Sequence, residues 1–294
     1  MESTMKTTSG KLKNYIVLSA AAALAATVMR TVSLITVFES EIGYYARGAI
    51  LPYVQKGFIA LSVLLMLILP IFISKGDLYE TRPSPSPFVL FSSFLCGTIN
   101  IISAVLLLLF QRGSMPTVTL IIIIGFSAGT VFFFYDALCP PEKKSQLGVI
   151  PAMIAVIGLI AMIVKIHLDY TITLNSPNKT ALFISLATIS IFMIQELRFT
   201  VGASQPRIYL ATSAISSLFC LSTSIPGIIG YYTDTLSGGD FLIYYIVIFA
   251  YGVYSISRFI SYVKYASFIA DLQITSTVEN ESSAENSVSE AEDQ

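Results

Sequence analysis

The sequence predicts an all-α integral membrane protein, a polytopic bundle of about eight transmembrane helices. Three observations carry that expectation. Apolar residues make up 54% of the 294 residues and charged residues only 12%, with a mean hydropathy of +0.75. Soluble domains carry roughly 25% charged residues, so too few charges are present to cover a water-exposed fold of this length. Eight apolar runs reach the ~20 residues that a helix rising ~1.5 Å per residue needs to cross ~30 Å of hydrocarbon. Finally, runs such as LLMLILPIFI, AVLLLLF and LIIIIGF lack the alternation of barrel strands, and only helices and closed barrels satisfy their backbone inside lipid.

The first span is expected over 14–38. Lys6, Lys11 and Lys13 precede it and imitate the basic start of a signal peptide. The apolar stretch before the A-x-A pattern is only YIVL, too short for a cleavable signal, so the segment is read as a retained helix. FESEIGYYARG (38–48) with LPYVQKGF (51–58) is expected to make an outer loop with Tyr and Phe, paired charges and glycines, suited to a membrane-surface belt or to capping an entrance. The second span covers 54–74, and RPSPSP (82–87) ends any helix after it, because Pro lacks the N–H and restricts the preceding residue. Spans three to eight follow at 88–110, 117–138, 148–167, 179–197, 208–231 and 241–263, with CPPEKK (139–144) punctuating the fourth.

Loop charges set the expected orientation. With the N-terminus cytoplasmic, eleven Lys and Arg (6, 11, 13, 75, 82, 143, 144, 198, 207, 258 and 264) fall inside, against five (47, 56, 112, 165 and 179) outside. Both termini are therefore expected in the cytoplasm and the chain in the cell membrane. Three units result: a basic N-terminus (1–13), an eight-span domain (14–265) and an acidic tail (266–294). Residues 271–294 hold seven Asp and Glu and no Lys or Arg, while the first 270 carry a net +6. Such a tail buries too little surface to offset its ordering entropy. It is read as a solvated terminus, with a cytosolic partner as the functional alternative. No basic patch with interleaved aromatics indicates nucleic acid. Cys96, Cys139 and Cys220 lack ligand spacing and are read as packing residues.

A four-plus-four repeat is suggested by residues 71–95 and 191–215. Each gives a span end, a polar loop, Pro, and a span with paired hydroxyls (Ser92-Ser93, Thr212-Ser213). Repeats of this kind place substrates between halves in many transporters; shared apolar composition is the plain alternative.

Ionisable groups in hydrocarbon cost roughly 2.5–3.5 kcal/mol each at mid-depth, so each needs a reason. Arg30 is the deepest, roughly 12 Å from the outer end of its span. It is read either as a fixed charge for an anionic ligand or a gating ion pair, or as a residue that snorkels outward or pairs with Glu39 or Glu41. Asp136, Glu196 and Arg258 share one depth near the inner ends of spans four, six and eight, so an interhelical ion pair is expected among them. Asn100 lies near mid-depth in span three. Pro226 and Gly227 are expected to break span seven and expose backbone groups.

Several motifs fail on placement. GFSAG (125–129) satisfies G-x-S-x-G, but a hydrolase needs that Ser on a strained strand-to-helix turn. Here it falls inside a span, and the only His, His167, differs in depth by roughly 15 Å. Gly125 and Gly129 are read instead as a close-packing helix seam. Tyr135-Asp136 with Gly238-Gly239-Asp240 resembles an intramembrane aspartyl protease pair in outline, yet the two carboxylates fall at opposite membrane faces and cannot share one site. No phosphate loop or ligand cluster is found, so no catalytic group, metal or cofactor is assigned. The Asn178-Lys179-Thr180 sequon sits too close to the membrane to be an acceptor. The leading functional expectation is a permease-like transporter for a small solute, with Arg30, Asn100, Pro226 and Gly227 at its site. The alternative is a non-catalytic sensor, scaffold or complex subunit, and an intramembrane hydrolase ranks last.

Overall fold

A computed structural model describes residues 2–73, 78, 86–110, 115–139, 148–169, 176–236 and 242–266. Its elements are α1 (Glu2–Val37), a hairpin of β1 (Phe38–Glu39) and β2 (Tyr44–Tyr45), α2 (Leu51–Ile68), α3 (Pro87–Phe110), α4 (Thr117–Leu138), α5 (Val149–Leu168), α6 (Pro177–Val201), α7 (Pro206–Tyr232) and α8 (Leu242–Ala266). Among the described residues eight helices are long and apolar enough to cross a membrane, and the chain is a multi-pass helical bundle.

Chain chemistry explains the ends. Pro stands in the first turn of α2, α3, α6 and α7, where its missing N–H would lack a helical partner anyway. Ser176 caps α6 by accepting from the Lys179 N–H at 3.1 Å. Gly202 ends that helix at φ 78°, and Ala203 N–H reaches back to the Arg198 carbonyl. A tight turn lets β1 pair with β2 (Phe38 opposite Tyr45, Glu39 opposite Tyr44), with the two rings edge-on at 5.6 Å.

Three boundaries differ from the sequence expectation. α1 starts at Glu2, so part of the expected N-terminal unit continues the first span. Residues 51–58, read as outer loop, form the first turns of α2: an apolar, capless start is no helix signal until packing supplies one. α2 stops at Ile68 and gives way to a 3-10 turn over Leu69–Phe72, where Pro70 removes the next backbone donor. The acidic tail beyond Ala266, which itself ends α8, residues 82–85 of RPSPSP, most of CPPEKK and Gly238–Asp240 lie outside the described residues.

α8 runs through the centre. Phe259 packs on Tyr15 of α1, Ser257 bonds Ser92 of α3, and Tyr251 and Tyr254 pack on Phe133 of α4. Tyr244 takes Lys165 of α5 over its ring, and Tyr262 meets Phe199 of α6 and Tyr209 of α7. α1 packs against α2 and α7, and α3 to α7 each pack against the next. The two least apolar spans, α7 and α8, are the most buried, at 67% and 72%, whereas α2 is 22% buried. Lipid explains the order: hydrocarbon solvates Leu and Ile as well as a protein core does, so the hydroxyl-rich helices go inside, where Ser, Thr and Tyr find partners. The four-plus-four repeat is not confirmed: α8 is central, while its would-be counterpart α4 lies between α3 and α5.

Candidate functional site

Two buried cations organise two separate polar centres. The first is Arg30, which is 6% exposed in α1. Its Nη1 donates to Thr223 Oγ1 of α7 at 3.3 Å and its Nη2 to Asn178 Oδ1 of α6 at 3.1 Å. Ser185 Oγ on α6 donates in turn to Thr223 Oγ1 at 2.8 Å. Glu39 and Glu41 are exposed and make no ion pair with Arg30, so the pairing considered from the sequence does not form. Both acceptors of the guanidinium are neutral. Asn178 is committed and 8% exposed, which removes the sequon's acceptor nitrogen from solvent.

Two helix starts bear on the setting of Arg30. Asn178 lies in the first turn of α6 and Tyr245 in the first turn of α8, and helix N-termini present unpaired N–H groups and the positive end of the backbone dipole. The neighbouring Lys179 is already used: its Nζ bonds the His167 and Asp169 carbonyls at the end of α5. Tyr45 of the hairpin is close enough to feel Arg30. Burial raises its hydroxyl above the ordinary 10.0 and the guanidinium pulls it partly back, so it stays a neutral donor at physiological pH.

Pro226 and Gly227 act here in a way the sequence did not show. α7 is continuous through both, which corrects the expected break. One proline removes one N–H, and a helix packed on all sides keeps its course. Gly227 is a seat: a Cβ there would enter the Tyr245 ring, so only glycine lets that ring lie on α7 beside Arg30. Asn100 is not part of this cluster. Its Nδ2 lies 3.3 Å from the Tyr251 hydroxyl, and a Cβ on Gly129 would stand 3.2 Å from it. Tyr251 is six residues beyond Tyr245, ~9 Å along α8 and on another face of it. Asn100 Oδ1 is buried without a hydrogen-bond partner.

The second centre surrounds Arg258, 1% exposed. Its Nη2 is 2.5 Å from Asp136 Oδ2 and its Nε 3.5 Å from Glu196 Oε1. One guanidinium thus joins α4, α6 and α8. Tyr254 donates toward Asp136 and accepts from Arg258 Nε at 3.0 Å, Tyr209 of α7 donates to Glu196 at 2.6 Å, and Ser93 of α3 to Asp136 at 3.4 Å. The sequence reading found the three charges by depth but did not join these hydroxyls to them; Ser93 was noted only as part of a paired-hydroxyl repeat, and the tyrosines only sit within spans. The arrangement clamps five helices.

Gly125 meets Gly158 of α5 backbone to backbone, since a Cβ on either would overlap the other's Cα. Gly158 was not singled out from the sequence. Ser127 lies on the outer side of α4 and bonds its own helix at the Ile123 carbonyl, while His167 is an exposed residue near Phe183. Ser127 and His167 therefore form no nucleophile–base pair.

The bundle and its buried charges define the class, a polytopic α-helical membrane protein with two internal polar centres, each built on a buried arginine. No protein family, curated protein or solved structure matches the chain.

Proposed function

We propose that the protein is a permease-like transporter for a small anionic solute, held at Arg30. The observation that carries the reading is a buried guanidinium bonded only to neutral oxygens, with no carboxylate partner among the described residues. Arg258 supplies the contrast, because its charge is met by Asp136 and Glu196. A cation left without a counter-ion in low dielectric is costly, and an entering carboxylate or phosphate would offset that cost with a planar, two-pronged hydrogen bond. The N-termini of α6 and α8 and the neutral Tyr45 hydroxyl favour the same charge sign. The reading is non-enzymatic. It places the chain in the cell membrane with both ends cytoplasmic and Arg30 in the outer half, following the loop-charge excess.

The test is thermal stability of purified protein with sodium acetate and with sodium phosphate, against glycerol as the uncharged control. At least one anion raises the melting temperature, and Arg30→Gln abolishes that rise. Uptake of the stabilising anion into proteoliposomes then requires Arg30. Equal responses of wild type and Arg30→Gln to every anion would remove the site.

A further inference from the structure

A groove lies at the other end of α1, ~28 Å from Arg30 at helical rise. This groove of about 670 Å³ opens between α1 and the end of α2, within the ~300–1,000 Å³ range of small-molecule sites. Its α1 wall is graded: Lys11 and Asn14 come first, then Leu18 and Ala21. From Lys11 to Ala21 is about 15 Å along the helix. Opposite stand Phe72, the last residue of the 3-10 turn, and Ile73 just after it.

The groove is a built feature rather than a gap between loosely packed helices. Pro70 cannot donate to the Met66 carbonyl four residues back, and α2 turns to 3-10 geometry there. Tyr15 OH, on the groove wall, supplies the missing donor to Met66 O at 3.0 Å. Arg207, at the start of α7, donates from Nη2 to the Ile73 carbonyl at 2.6 Å. Its Nε is buried with no hydrogen-bond partner. The groove therefore carries one cation on its wall, Lys11, beside Asn14, while Arg207 holds the backbone of the opposite wall from behind and most of the remaining lining is hydrocarbon.

We propose that this groove is a resident site for an anionic glycerophospholipid, its phosphate beside Lys11 and one acyl chain lying along Leu18, Ala21 and Phe72. Charge complementarity selects the headgroup, since a zwitterionic lipid brings its own cation to a rim that already carries Lys11. The apolar length excludes a free phosphate, which would gain nothing from the deeper wall. A protein segment would bring backbone polar groups into a wall that offers few partners. The inference is independent of the solute reading.

The experiment uses the full chain purified in a neutral detergent and delipidated. Retention of dioleoylphosphatidylglycerol is measured by native mass spectrometry and by the shift in melting temperature, against dioleoylphosphatidylcholine and oleate. Phosphatidylglycerol is retained in preference to both. Lys11→Glu, at an exposed position, weakens its retention by roughly tenfold or more, given that each basic residue near an anionic surface matters several-fold. Ala21→Trp fills the groove and removes both retention and the stability shift. Equal retention of phosphatidylcholine, equal retention of oleate, or unchanged phosphatidylglycerol retention in Lys11→Glu would each overturn the proposal. Should Ala21→Trp fail to fold, the Lys11→Glu result decides alone.

Discussion

The Tyr15 hydroxyl donates to the Met66 carbonyl, the acceptor that Pro70 leaves without its helical partner. A side chain from α1 thus completes the backbone of α2, so the fold of one span depends on its neighbour. In lipid no water can take that role.

This relationship predicts a coupled pair. Tyr15→Phe lowers stability by about 0.5–1.5 kcal/mol, the net worth of one such bond. Pro70→Ala restores a backbone donor, so Tyr15→Phe costs less in that background than in the wild type. A double-mutant cycle, read from reversible unfolding in mixed micelles, measures the difference.

Arg258→Leu strips the cation from between Asp136 and Glu196. Removing one side of a buried charge cluster costs about 3–5 kcal/mol, and neutralising the remainder recovers much of it. Arg258→Leu with Asp136→Asn and Glu196→Gln is therefore more stable than Arg258→Leu alone, measured by the same unfolding assay.

Gly125→Val forces a side chain into the Gly158 backbone and costs about 1–3 kcal/mol or more, as overpacking does. Gly57→Ala in α2, where a Cβ meets nothing within 4 Å, changes stability by less than about 0.5 kcal/mol. Melting temperatures of the two variants separate a seam glycine from a lipid-facing one.

Alternating spans place Arg47, Asp169 and Asp234 at one end of the bundle and Lys13 and Ala203 at the other. In a background lacking Cys96, Cys139 and Cys220, single cysteines at the first three label together from outside the cell. Those at Lys13 and Ala203 label only after permeabilisation, and the reverse pattern would invert the orientation.

The eight spans were legible in the sequence because crossing a membrane requires ~20 apolar residues whatever the neighbours do. The charge cluster was legible for a related reason: three costly ions at one depth have to answer one another. Other features were not. Periodicity that marks the buried face of a soluble helix is weak when lipid accepts Leu on every side. Nothing in the sequence therefore showed Asn100 facing Tyr251 rather than Arg30, or Gly125 against Gly158. The Pro226 reading failed because a rule for isolated helices was applied to one held by its surroundings.

The sequence by itself determined that this chain lives in lipid, how many times it crosses, and which residues must be shielded there, since hydrocarbon penalises each exposed charge and backbone group locally. Only the tertiary structure decided which helix occupies the centre and which cation goes without a carboxylate. Partners across a bundle depend on the rotation and packing of whole helices, and those are set jointly by all eight.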